Sequence, residues 1–172
     1  PVSVGLLDML MAVERERPVP RIRLSSLEPA EVTDELIDWV SGSDVVCPHF
    51  HVPLQSGDDD VLKAMKRTYD RFFFYDLIKK IRFKVPRAGI GVDVMTGFPN
   101  EDEVAFQNTF TLIASLPLTY LHVFPYSRRP GTPAAAMPGQ VAEKTKKGRA
   151  EALRCLGAQK KAEFARSFVG AD

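Results

Sequence analysis

Cysteine is nearly absent. The 172 residues contain two, Cys47 and Cys155, and their wide separation gives neither a metal-ligand spacing nor a disulfide framework. A reducing, cytoplasmic setting is the expectation. Long apolar runs are missing as well. None approaches the roughly 20 residues a membrane span needs, and no signal-peptide pattern is visible at the start, so no membrane partner is expected. An excess of charge is also lacking. Lys and Arg number 23 against 22 Asp and Glu, for a formal net charge of +1, which gives no global bias toward nucleic acid or lipid. DNA is not expected as a partner. There is no internal repeat and no long low-complexity segment. The chain starts on Pro1 with a helical pattern already under way and closes on SFVGAD. Both ends suggest a segment of a longer protein.

What is present is a globular composition with alternating periodicities. Hydrophobic residues make up 45% and charged residues 26% of the chain, ordinary values for a packed domain. Leu6, Leu7, Leu10 and Val13 recur at helical spacing. RIRLSS (21–26) alternates like a strand. Leu36, Ile37 and Val40 mark a helix with Pro29 near its entry. VVCPHFHVPLQ (45–55) is expected as a strand. Asp58 then caps a short helix bearing Val61, Leu62 and Met65, and Asp70 precedes one with Phe73, Phe74, Leu77, Ile78 and Ile81 on its apolar side. AGIGVDVMTG (88–97) is another strand. Asn100 with Glu103 forms a capping box for a helix carrying Phe106, Phe110 and Ile113. TYLHVFPYS (119–127) is the last strand. A Pro/Gly stretch leads to a long basic helix over about 141–167.

Strands and helices alternating on short connections mean an α/β fold with parallel strands. Four strands are too few for a closed eight-stranded barrel and suit the latter half of a smaller or open one. Alternation splits each strand into two faces. Phe50, Val52, Leu54, Ile90, Val92, Val94, Leu121 and Val123 form an aliphatic face suited to packing against helices. Arg21, Arg23, Ser25, His49, His51, Gln55, Asp93, Met95, His122, Phe124 and Tyr126 fall on the other, which becomes the barrel interior. A structural barrel fills its interior with Val, Ile and Leu, and buried polar groups cost free energy unless paired. The polar cluster therefore indicates either a hydrogen-bonded core or a ligand-binding interior, and the cluster as a whole favours the ligand. A histidine metal site is not expected, because the three histidines occupy two strands without a carboxylate–histidine motif.

CPHFHVPLQSGDDDVLKAMKRTYD (47–70), IGVDVMTGFPNEDE (90–103) and YLHVFPYSRRPGTPAA (120–135) resemble the radical S-adenosylmethionine methylthiotransferases. The resemblance spans essentially the whole chain. RLSSLEP (23–29) is similar to the subgroup that modifies N6-threonylcarbamoyladenosine next to the tRNA anticodon. The resemblance implies the C-terminal portion, about strands three to six, of a partial (β/α)6 TIM-like barrel. Residues 1–140 would belong to that barrel, and 141–172 would be a basic helix leading to an absent RNA-binding domain. It also implies S-adenosylmethionine and two [4Fe–4S] clusters in the full-length enzyme. The cluster-binding cysteines are absent from this chain, so no metal ligand is expected in it, and the fragment alone should be inactive.

The resemblance further implies site residues. S-adenosylmethionine presents ribose hydroxyls, a carboxylate and an amine, which call for acceptors and a bidentate arginine. Related radical enzymes of the coproporphyrinogen-oxidase type place a Glu, a Gln, an Arg and an Asp where this sequence has Glu28, Gln55, Arg67 and Asp93. Gln55 and Asp93 are then ribose ligands, Arg67 holds the carboxylate, and Glu28 meets a ribose hydroxyl or the amine. Ser56, Gly97 and Pro99 belong to the same cosubstrate wall, although Asn100-Glu101-Asp102 stands where the family has Gly-Glu-Thr. His51, His122, Tyr126 and Arg128 are substrate-side candidates. The tail from Val141 carries eight Lys and Arg against four acidic residues, a solvated face or a set of contacts to tRNA phosphates. Three alternatives remain open: the same chemistry on N6-isopentenyladenosine or on an aspartate of ribosomal protein S12, a non-catalytic nucleoside-binding module, and an aldolase-like barrel.

Overall fold

The computed structural model describes residues 5–170. Residues 1–4 and 171–172, which include both ends of the excised-segment expectation, lie outside the described residues. Three parallel strands, β1 (His49–His51), β2 (Gly89–Thr96) and β3 (Tyr120–Pro125), stand in that order. They alternate with helices α1 (Leu6–Glu16), α2 (Asp34–Gly42), α3 (Asp59–Ala64), α4 (Arg71–Lys84), α5 (Glu103–Ser115), α6 (Pro133–Ala136) and α7 (Glu143–Arg166). The result is the expected parallel α/β arrangement of a partial barrel wall.

The aliphatic face drives assembly. Phe50, Val52, Leu54, Ile90, Val92 and Val94 are fully buried, in one core with Phe74, Ile78, Ile81, Ile113 and Leu153 of the helices. Each such side chain stabilises the fold by roughly 1.5–3 kcal/mol. The inner face remains more open, with Phe124 52% exposed. Register fixes which inner residues meet: His51 lies beside Gly91, and Asp93 beside His122.

Several expected boundaries move, each for a local reason. The 45–55 strand shortens to His49–His51, with single bridges at Val46 and Gln55. Pro48 and Pro53 interrupt it, since proline donates no ladder hydrogen bond. The 21–26 strand is reduced to one bridge, Ile22 to Val46, and the left-handed φ of 53° at Ser26 ends its extension. Pro29 opens a 3-10 turn, and Thr33 caps α2 instead. Asp58 caps α3 as expected, and Asp70, which was expected only to precede α4, caps it. Phe73, placed on the apolar side of α4, is 46% exposed. Asn100 is not a cap. It takes a left-handed φ of 66°, and the Asp102 carboxylate accepts from the Ala105 N–H to start α5.

The basic helix α7 is a packed element. It lies along β3 and β2 and buries Lys146, Arg149, Ala150, Leu153, Gly157 and Lys160.

Candidate functional site

The inner face carries a continuous polar chain. His51 Nε2 is 2.9 Å and His122 Nδ1 3.2 Å from the same Asp93 oxygen, Oδ1. The second imidazole nitrogen of His51 lies 2.9 Å from the Tyr120 hydroxyl, which is also 2.9 Å from His49 Nε2. Arg23 Nη2 is 2.8 Å from that same His49 nitrogen. Two residues of β1, one of β2, two of β3 and one from the preceding extended segment thus converge on the face that the alternation predicts. His49 Nδ1 faces the Leu24 carbonyl at 3.3 Å. Arg23 Nε donates toward the same Nδ1 at 3.2 Å, so each ring nitrogen of His49 faces the guanidinium as well as one neutral oxygen. Burial, and then the Arg23 charge, hold the His49 pKa below the usual histidine value, which keeps the ring neutral. Burial pushes the Tyr120 phenol up. Tyr120 fits because Gly91 lies beneath its ring, where any side chain would collide with the phenol.

Four predicted cosubstrate residues lie in β2 and in the segments around the strands: Asp93 within β2, Gln55 after β1, Glu28 before the 3-10 turn and Arg67 between α3 and α4. Gln55 follows β1 with a strained left-handed φ of 64°, a cost of order 1–3 kcal/mol that persists where surroundings enforce it. Among the described residues two non-glycine residues in the strand-to-helix segments, Gln55 after β1 and Asn100 after β2, take left-handed φ. Asp93 keeps Oδ2 free while Oδ1 takes both histidines. Arg67 Nη1 is 3.1 Å from Glu28 Oε1, so the two expected charged ligands are brought together and pair with each other. Arg67 Nε is buried with no hydrogen-bond partner.

Other predicted positions have different surroundings. Ser56 is fully buried, with its hydroxyl 3.3 Å from Thr109 Oγ1 and accepting from the Asp58 N–H. It builds the corner and does not face the cavity. Gly97 has φ 73°, and a Cβ there would collide with Lys146 Cγ. The close neighbour that demands glycine is therefore α7. Pro99 lines a cavity of about 360 Å³ with Asp58, Val61 and Asn100. Tyr126 is buried against Phe98, ring centroids 5.6 Å apart, with Lys146 Nζ over its ring. It is core and not a substrate-side surface, and its hydroxyl lacks a partner. Arg128 donates from Nε to the Ala135 carbonyl at 2.8 Å, pinning the Pro/Gly loop.

Periodicity missed a second group of residues. Lys146 Nζ donates to the Tyr126 carbonyl at 3.0 Å and also pairs with Glu143. Arg149 Nη1 donates to the Glu101 carbonyl and carboxylate, and that carboxylate accepts from the Gly97 N–H at 2.8 Å. Burial pushes the Glu101 pKa up, against the opposing pull of Gly97 and Arg149. Lys160 Nζ donates to the Ala114 and Leu116 carbonyls at the end of α5. Three of the eight basic tail residues therefore point inward, a correction to their reading as a solvated face. Lys144, Lys147, Arg154, Lys161 and Arg166 remain exposed.

The ligand atoms of His51, Asp93 and His122 lie within 4.8 Å of one another, so strand register supplies the carboxylate that the sequence pattern did not reveal. Hydrogen bonding to Asp93 Oδ1 accounts for the arrangement. Cys47 is half-buried and Cys155 exposed on α7. Two cysteines cannot supply the thiolates an iron–sulfur cluster needs. Among the described residues no helix is long and apolar enough to cross a membrane.

Residues 5–113 match the family model described as the radical SAM superfamily. The chain is 45% identical over 171 residues to a threonylcarbamoyladenosine tRNA methylthiotransferase of Rickettsia prowazekii, covering 99% of this chain and 40% of that protein. It is 42% identical over 163 residues to a tRNA-2-methylthio-N6-dimethylallyladenosine synthase of Mycobacterium marinum, covering 95% of this chain and 31% of that protein. It thus spans well under half the length of these relatives. In fold it is similar to the radical SAM enzyme coproporphyrinogen III oxidase of Escherichia coli, with TM-score 0.65 at 18% identity, covering 99% of this chain and 39% of that one.

Proposed function

Because the chain belongs to the radical SAM superfamily, we propose that it forms the cosubstrate-binding wall of a tRNA methylthiotransferase acting on N6-threonylcarbamoyladenosine. The observation that carries this is the rim of Gln55, Asp93, Glu28 and Arg67, in a chain 45% identical to an enzyme of that name. The residues fit S-adenosylmethionine. Asp93 Oδ2 and the Gln55 side chain offer acceptors for the ribose hydroxyls. Arg67, with its orphaned Nε, complements the carboxylate, and Glu28 complements the amine. The Glu28–Arg67 pair opens toward the amino-acid zwitterion, exchanging one ion pair for two.

When bound in an intact enzyme, S-adenosylmethionine and its cluster supply a 5′-deoxyadenosyl radical. This chain orients the cosubstrate and screens the site from water. Its own cysteines do not fit a cluster, so the ligands of two [4Fe–4S] clusters belong to the remainder of the parent protein. Residues 1–140 are the barrel portion, and 141–172 lead toward an RNA-binding region. The exposed Lys144, Lys147, Arg154, Lys161 and Arg166 contact tRNA phosphates there. The enzyme works in the cytoplasm.

The second reading, action on the dimethylallyl-type nucleoside, is favoured by the 42% identity to a synthase of that class. Mass spectrometry of tRNA nucleosides from a strain lacking the parent gene separates the two. Loss of the 2-methylthio group from N6-threonylcarbamoyladenosine is expected. Its retention, with loss from isopentenyladenosine or from protein S12, would overturn the assignment.

A further inference from the structure

The inner face carries an open cavity of about 440 Å³ lined by Arg23, Ser25, His49, Asp93, Tyr120 and His122. Of the cosubstrate rim only Asp93 reaches it; Gln55, Glu28 and Arg67 are not on its lining. Arg23, itself exposed, forms no ion pair among the described residues, and its guanidinium lies against His49 and 3.4 Å from the Tyr120 hydroxyl. The only carboxylate on the lining, Asp93, has one oxygen occupied by His51 and His122 and is separated from Arg23 by Tyr120 and His51. Arg23 and Asp93 are the two charged groups on this lining, and the guanidinium has no carboxylate within ion-pair distance among the described residues.

Such a basin discriminates between groups. A hydrocarbon seated there strips water from the donors and returns nothing, at about 1–3 kcal/mol for each donor left unmade. An anion with a hydroxyl supplies the carboxylate partner that Arg23 lacks together with the hydrogen bonds, and arginine holds a carboxylate through two parallel N–H bonds. We propose that this cavity is a subsite for an anionic, hydroxyl-bearing substituent of the substrate base, with Arg23 pairing its carboxylate and Tyr120 and His122 meeting its hydroxyl or carbonyl oxygens. The inference rests on the methylthiotransferase reading and deepens it. A threonylcarbamoyl group ends in a carboxylate and carries a hydroxyl, whereas a dimethylallyl group is hydrocarbon. Arg23 is then a specificity determinant of the barrel interior.

The test uses the intact parent enzyme with its clusters loaded. Arg23→Met is compared with wild type on tRNA bearing N6-threonylcarbamoyladenosine and on tRNA bearing isopentenyladenosine. The expected result is a KM for the first substrate raised about tenfold or more, a smaller change in kcat, partial recovery in Arg23→Lys, and narrowed discrimination between the two. N-carbamoyl-threonine should inhibit wild type competitively and the Lys variant more weakly. That measurement also serves if the Met variant does not fold. A KM within about twofold of wild type, or equal inhibition of both proteins, overturns the subsite while leaving the functional assignment intact. A wild-type enzyme that methylthiolates neither tRNA overturns the assignment, and the subsite falls with it.

Discussion

Arg149 Nη1 stands 2.8 Å from the Glu101 carbonyl oxygen and 2.9 Å from its carboxylate, joining α7 to the corner that follows β2. Both side chains are buried, Glu101 almost completely. The carboxylate reaches on to the Gly97 N–H, so a residue on the long helix fixes the turn next to the proposed cosubstrate wall.

Breaking that pair from one side should be costly. Arg149→Met leaves a buried carboxylate facing carbon and is expected to lose about 3–5 kcal/mol of unfolding free energy. Arg149→Met combined with Glu101→Met, which leaves neither charge, should recover much of it. Urea denaturation of wild type and the two variants measures both numbers. Equal losses in the single and double variants would sink the account.

The same pair gives a pH dependence. Burial raises the Glu101 pKa above its usual value, so the folded state binds that proton more readily than the unfolded state. The associated stability is present in full below about pH 4.5, the reference value for Glu, and is lost as pH rises through the raised folded value. Removing the Arg149 charge raises that value further. The destabilisation of Arg149→Met relative to wild type should therefore be largest at neutral pH and shrink toward pH 4. A pH-independent difference counts against it.

Gly97 is constrained from two sides, by its φ of 73° and by the Lys146 side chain. Gly97→Ala should destabilise by more than about 1 kcal/mol. Lys146→Ala removes the colliding atoms, so the double variant should lose less than the sum of the two singles. Additive losses would locate the strain in φ alone.

How far the sequence discloses these features depends on the range of the interaction. Period-two alternation placed His49, His51, Asp93 and His122 on one face, because the pleat alone decides that. Asp58 was legible because a cap acts within three residues. The prolines at 48 and 53 were visible too, but their effect on strand length depends on which partner N–H groups the ladder needs. Lys146, Arg149 and Lys160 were misread as a solvent face, because a basic residue turns inward only when distant carbonyls and a carboxylate wait for it. Nothing within helical spacing announces Ala114, Leu116 or Glu101. Ser56 was assigned to the cavity from its motif. Its hydroxyl instead serves Thr109 and the Asp58 N–H, partners that appear only once α5 docks. The Glu28–Arg67 pairing joins residues 39 apart and likewise arises from topology.

Tyr69 sets an alkaline limit on the fold. Its hydroxyl donates to the Pro53 and Leu54 carbonyls at 3.0 and 3.2 Å, and burial raises its pKa from 10.0 to about 12. The folded state thus retains a proton that the unfolded chain releases. Stability from this group is complete below pH 10 and lost as pH climbs toward 12. Tyr69→Phe should be less stable at pH 8 through its two lost hydrogen bonds, by about 1–2 kcal/mol, and should show a flatter decline above pH 10. Thermal melts across that range test it. Parallel declines in both proteins would assign the alkaline limit to other groups.

Asp93 divides its two oxygens between the scaffold and the proposed ribose. Oδ1 is fixed by His51 and His122, which aims Oδ2 into the site. Asp93→Asn keeps the shape and one acceptor oxygen. If the amide oxygen stays with the histidines, its NH2 replaces Oδ2 and turns an acceptor into a donor. If the group flips, the histidines lose their acceptor. In either case a charged hydrogen bond worth about 1.5–3 kcal/mol disappears, which corresponds to a roughly 10- to 100-fold weaker affinity for S-adenosylmethionine. Gln55→Ala removes a neutral contact and should cost less. Equilibrium binding to the cluster-loaded parent enzyme, with circular dichroism to confirm folding, ranks the two. Unaltered affinity in a folded Asp93→Asn enzyme would remove Asp93 from the cosubstrate site and leave it as the acceptor that orients His51 and His122.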